Sequence, residues 1–181
     1  PAARKAYFDI VANTPRSPYV PAVYLAFAEL FARESASDPS KWDLARQAYR
    51  EVLKYPPPQN RVYAYALVRS AEVDRAKDDS AQALASYKRV FEAITQHPET
   101  RCAAELGEAA ELGMIQSYAD VGAPNKAGTF LRHVSPTRGE RLLAGLVDEL
   151  LRRAKTKDAS VAAQSGEGPL VSQGQARACK P

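Results

Sequence analysis

The chain has 181 residues, 45% of them apolar, a net charge of +4 and two cysteines. That is enough to close one helical core, and no run approaches the roughly 20 apolar residues of a membrane-spanning helix. The basic residues are not interleaved with aromatics near the C-terminus, where none follows Phe130, so the pattern of a nucleic-acid surface is missing.

Residues 1–15 read as a lone helix with Ala3, Tyr7 and Ile10 on one face and Pro15 at its stop. Pro1 as the first residue, and a helix with no partner before it, suggest that the natural chain continues upstream. A helical hairpin is expected over 17–57. Its first helix carries the stripe Tyr24, Phe27, Ala28 and Phe31, and Glu34–Lys41 forms a loop. Its second helix carries Ala45, Tyr49 and Val52 before Pro57. The next hairpin, 59–97, has Leu67, Ser70 and Ala71, a turn at Lys77-Asp78-Asp79, then Ala83, Tyr87 and Val90. The third, 98–136, has Met114, Ile115 and Tyr118, a break at Gly122, then Ala127, Leu131 and Val134. Ser17-Pro18, Asp38-Pro39 and Ser135-Pro136 each supply a capping oxygen before a proline suited to the first helical turn.

A capping helix follows at 137–157, with Leu142, Leu143, Leu146, Val147, Leu150 and Leu151 inward and Arg152, Arg153, Lys155 and Lys157 toward water. Residues 158–181 are rich in Ser, Gly, Gln and Ala and read as a low-complexity tail. The unit of alanine, bulky residue and aliphatic residue starts at positions 3, 45, 83 and 127. One helical hairpin has therefore been stacked repeatedly, the signature of a solenoid.

With these residues in place the chain resembles the tetratricopeptide repeat family. Tyr24, Phe27, Ala28, Phe31, Trp42, Ala45, Tyr49, Val52 and Pro57 carry the likeness in the first full unit, and Tyr118, Gly122, Ala127, Leu131 and Val134 in the third. The middle unit departs from the family at Asp74, where an aromatic is usual. The texture around Tyr49–Pro56 and Tyr63–Leu67 is similar to bacterial cell-envelope members of that family. The resemblance implies an all-α, right-handed solenoid of hairpins with a C-terminal capping helix and an extended tail. It also implies a non-catalytic scaffold, in the periplasm or cell envelope or alternatively the cytoplasm, that grips a peptide or protein on its inner helices.

Carried over residue by residue, the groove would be lined by Leu25, Glu29, Arg33, Tyr65, Arg69, Glu72, Arg75, Gln116 and Asp120. Glu29–Arg33 and Glu72–Arg75 also have the spacing of ordinary helix pairs. The carboxylate clamp of chaperone-docking members is absent, because Leu25, Val68, Glu29 and Glu72 stand where its Lys and Asn would be. Glu105, Glu108 and Glu111 read as one solvated side of a helix, and His97 and His133 as polar groups at helix ends. No metal ligand set, cofactor cradle or small-molecule substrate site is expected. Membrane contact would be indirect, and the oligomeric state is open. Alternatives are self-assembly through the flank around Tyr7 and Phe8, or nucleic-acid contact through the basic helix Arg141–Lys157. Cys102 and Cys179 either form a disulfide that ties the tail to the repeats, over the groove if it acts as a pseudo-ligand, or remain separate thiols.

Overall fold

The computed structural model describes residues 2–166, leaving aside the side chains of residues 2–4, 7 and 8. Those residues form helices α1 (Ala2–Asn13), α2 (Val20–Glu34), α3 (Lys41–Val52), α4 (Tyr63–Ala76), α5 (Ser80–Gln96) and α6 (Ala103–Val121). A short 3-10 turn (Pro124–Lys126) leads into α7 (Ala127–Val134), then α8 (Gly139–Arg152) and α9 (Thr156–Gln164). No strand occurs among the described residues, and no helix there is long and apolar enough to cross a membrane.

The recurring apolar unit builds the core. Ala45, Tyr49 and Val52 on α3, Ala83, Tyr87 and Val90 on α5, and Ala127 and Leu131 on α7 are essentially shut off from solvent. They sit three or four residues apart, so each set forms one stripe. Alanine occurs where helices press together: Ala28, Ala71, Ala45, Ala83 and Ala127 are all fully buried. A larger side chain at any of them would overpack the crossing. The stripe residues divide into two clusters, one under α2 to α4 and the other under α4 to α9.

Helices adjacent in sequence pack on one another from α1 to α6, and second neighbours meet at α4 with α6 and α6 with α8. The third hairpin departs from this plan. Helix α7 is only eight residues long and leans on α5, α8 and α9. It meets α6 through Tyr118 and Phe130, whose ring centroids are 5.1 Å apart. The Tyr118 hydroxyl donates to the Ala123 carbonyl at 2.9 Å and pins the intervening break.

Helix starts differ in register from the expectation. Ser17, Asp38 and Ser135 each open a turn closed by the backbone N–H three residues on, accepted at their carbonyls. The helices begin behind these turns, at Val20, Lys41 and Gly139. Proline suits the second position of a type I turn as well as the first position of a helix, so the same dipeptide serves both. Asp79 caps α5, its side chain accepting from the Gln82 N–H at 3.2 Å.

The capping helix of the sequence reading is two helices. After Arg152 the chain passes through Ala154 at φ 57°, the Lys155 N–H donates to the Leu150 carbonyl at 2.9 Å, and the Ala154 N–H donates to Leu151. This is a Schellman stop, closed without the usual glycine. The boundary drawn between 157 and 158 therefore falls inside α9, which returns over α8 onto α7 and the Pro124–Lys126 turn. Ala159 and Ala162 are buried beneath it. Gly128 makes the approach possible, because a Cβ there would collide with the Ser165 carbonyl; its N–H donates to Ser165 Oγ at 2.8 Å.

Candidate functional site

The charges assigned to the inner helices are joined across helices as well as within them. Arg69 Nε on α4 donates to Glu29 Oε1 on α2 at 2.9 Å, and the same oxygen accepts the Tyr49 hydroxyl at 2.7 Å. Burial pushes the Tyr49 phenol far above its ordinary value, and the hydrogen bond to Glu29 adds to the shift. Arg69 also pairs with Glu72. The local pairs Glu29–Arg33 and Glu72–Arg75 expected from spacing thus give way to pairs made by Arg69, which reaches both carboxylates. Arg33 stands exposed in the last turn of α2 and is not joined to this run by any ion pair among the described residues.

Arg75, one turn further along α4, acts electrostatically on Glu72, on the Tyr87 phenol and on Asp120 of α6. Its Nε is buried without a hydrogen-bond partner among the described residues. Burial pushes the Tyr87 phenol up to about 12, with Glu72 adding to it. That ring lies against Gly113 of α6, where a Cβ would collide with it. Asp120 accepts from the Ser80 hydroxyl at 2.7 Å and pairs with Arg153 beyond α8. Burial alone would raise the Asp120 carboxyl, but these two donors outweigh it and hold it low. Arg153 continues to Glu149 at 2.7 Å and donates to the Gln116 carbonyl at 3.3 Å. Lys155 donates to the Ala119 carbonyl at 2.9 Å.

Glu29, Arg69, Glu72, Arg75, Asp120, Arg153 and Glu149 therefore form one run of alternating charge from α2 to α8. Tyr65, half-buried, stands beside it and feels both Glu29 and Arg69. Leu112 stays exposed on α6, one turn before half-buried Gln116. Leu25 does not line an open surface as expected. It is 6% exposed and belongs to the cluster that holds Tyr49 and, at its edge, Tyr65. The apolar residues of α2 are spread too widely around the helix for one face to remain free. Val68 is buried in the same way.

Three other expectations change. Glu111 is not on a solvated side: it is 5% exposed and accepts from Arg138 at 2.8 Å and from Arg141. Its partners lie 27 and 30 residues away in sequence, so no local pattern announces them. Arg153 and Lys155 fold back over α6 in place of facing water, and Leu151 is half exposed in place of being inward. The cations of the basic helix are thereby largely engaged with carboxylates of this chain.

Asp74 fills its unusual slot by ionic pairing. It is 2% exposed, and Arg46 Nε from α3 lies 2.7 Å from its Oδ1. Burial raises the Asp74 carboxyl, opposed by Arg46. Asp79, which also pairs with Arg46, is held low by that hydrogen bond.

A cavity of about 580 Å³ lies away from the charge run, between the start of α4, the end of α5 and the start of α6. Tyr63, Pro57 and Pro58 form one wall and His97 and Cys102 the other. Cys179 lies outside the described residues, and with it the expected Cys102–Cys179 bridge; the side chains of Tyr7 and Phe8 are likewise outside them. No group of three or more His, Cys, Asp or Glu among the described residues is placed to hold a metal ion.

No family model, curated protein or solved structure matches this chain.

Proposed function

We propose that this chain is a solenoid of tetratricopeptide-like hairpins that binds a peptide or protein segment on its inner helices, and that it serves as a non-catalytic scaffold. The observation that carries the reading is the run of alternating charge crossing α2, α4, α6 and the end of α8, with Tyr65 and Leu112 beside it. An amphipathic strip of this kind suits an extended segment. Apolar side chains of the guest would cover Tyr65 and Leu112, and its backbone and polar groups would meet charges of either sign. Arg75, partly exposed and acting electrostatically on both Glu72 and Asp120, is the cation of this strip between α4 and α6. Residence in a bacterial envelope complex rests on the textural likeness of the repeats alone.

Selection from a displayed library of random peptides on immobilised protein tests the proposal. Enriched peptides should lose most of their binding when Tyr65→Ala is combined with Arg75→Glu, and keep it with Leu151→Ser, an exposed site off the strip. Equal capture by both variants, or no enrichment at all, would remove the groove from consideration.

A further inference from the structure

We infer that the hollow between α3, α4 and α5 is an oxyanion site that takes phosphate, free or as the head of a small phosphomonoester. The inference does not depend on the peptide-binding proposal, because no residue of the charge run lines this hollow.

Its place follows from the packing. Helices α3 and α5 both lie against α4, and between them opens a hollow of about 250 Å³. Ser70 and Asp74 of α4 and Ser86 of α5 line it, and they are 5%, 2% and 3% exposed. The buried neighbours Leu67, Ala71, Ala83 and Val90 are aliphatic, so two buried hydroxyls from different helices on one hollow stand out. A buried hydroxyl wants a hydrogen-bond partner, and neither Ser70 nor Ser86 has one among the described residues.

Three cations line the same hollow: Arg50, Lys54 and Arg89. Arg50 is exposed and makes no ion pair among the described residues, yet it is near enough to favour the Asp74 charge. Arg89 donates to the Tyr63 hydroxyl, and its guanidinium stands 5.8 Å from the centroid of that ring. A guanidinium carries five N–H donors, so that bond positions Arg89 without exhausting it. Lys54 pairs with Glu51 at 2.6 Å. The Asp74 carboxylate is answered by Arg46 Nε at 2.7 Å, which leaves the cations of the rim in excess.

The donors select the shape of the guest. A planar carboxylate is met by the edge of one guanidinium, whereas hydroxyls and cations spread over three helices suit the several oxygens of a tetrahedral oxyanion. Gln82 adds an amide to the same lining. The volume selects the size, since about 250 Å³ falls below the roughly 300–1,000 Å³ of pockets that enclose a drug-sized ligand. A phosphate-sized head fits, and whatever it carries extends into solvent.

The test is a nuclear magnetic resonance titration of the isotope-labelled full chain with sodium phosphate, at an ionic strength held constant with sodium chloride. Amides of 50–54, 70–74 and 82–89 should shift together and saturate. Arg50→Gln should weaken the midpoint roughly tenfold, the scale of one lost hydrogen bond to a charged group. Lys88→Gln removes the same charge from α5 outside the hollow and should leave the midpoint unchanged. Ser70→Ala combined with Ser86→Ala keeps every charge and should weaken binding by a similar factor. A parallel titration with O-phosphoserine separates the sources: tighter binding than inorganic phosphate assigns the site to phosphomonoesters, and equal or weaker binding assigns it to the free ion. Shifts that never saturate with either probe overturn the site. So does an equal effect of Arg50→Gln and Lys88→Gln, which is general charge screening, or a serine double variant that binds like the wild type.

Discussion

Replacing Arg46 by methionine would leave a carboxylate stranded in the core. Asp74 is 2% exposed and Arg46 Nε sits 2.7 Å from its Oδ1. Removing one partner of a buried pair costs about 3–5 kcal/mol. The Arg46 side chain is 20% exposed, so water can reach the vacated space, and about 3 kcal/mol is the better figure. Loss of the Arg46 pair with Asp79, whose side chain is 38% exposed, adds no more than about 1 kcal/mol. Combining Arg46→Met with Asp74→Leu removes both charges and should return stability to within about 1 kcal/mol of the wild type. Urea unfolding followed by circular dichroism measures all the corners of this cycle. The pH dependence has a definite sign. Burial already raises the Asp74 carboxyl, and without Arg46 it rises further. Below that raised value the folded variant holds Asp74 neutral, so the deficit of Arg46→Met shrinks as pH falls toward 4 and grows as pH rises to 7. A loss below about 1 kcal/mol at pH 7, or a double variant no better than the single one, would refute the reasoning.

Ala154→Gly should stabilise the chain by about 0.5–1 kcal/mol in the same unfolding assay, because glycine takes the left-handed stop after α8 without strain. Asp78, at φ 58° in the equivalent stop after α4, should gain less from glycine, since aspartate tolerates that conformation better. Gly113→Ala would drive a methyl group into the Tyr87 ring and should cost about 1–3 kcal/mol; a neutral result would mean that the α5–α6 crossing is looser than described. Asp79 is held below its ordinary 3.8 by Arg46, and Asp120 by the Ser80 hydroxyl together with Arg153. Their contribution is complete above that value and is lost as pH falls through the lower folded values. Asp79→Asn and Asp120→Asn should therefore cost stability at pH 6 and lose less than the wild type on acidification below pH 4, read from thermal midpoints.

The parts of the fold legible in the sequence are those written in helical periodicity. Ala45, Tyr49 and Val52, Ala83, Tyr87 and Val90, and Ala127 and Leu131 are inward by spacing alone and are buried; Val134, placed with them, is only partly buried. What escaped reading lacked a local signal. Helix α8 stops at Ala154, where a glycine would have announced the turn, so the cap looked like one helix through Lys157. Helix α9 presents only two buried alanines, and its docking depends on Gly128, some thirty residues earlier. Asp74 and Glu111 looked like a defect and a solvated charge, because Arg46, Arg138 and Arg141 come from other helices. The candidate strip was legible as a set of residues but not as a network. The spacing of Glu29 and Arg33 suggested a local pair, whereas the guanidinium that reaches Glu29 is 40 residues away. Leu25 was assigned by family position to an open surface that the packing of α2 does not provide.

Hydrogen exchange of the protein with and without a library-selected peptide tests the binding face most directly. The account predicts slower exchange in α4 and α6 around Tyr65–Arg75 and Leu112–Asp120, with α3 and α5 unchanged. Protection confined to α3 and α5, or to α8 and α9, would contradict it.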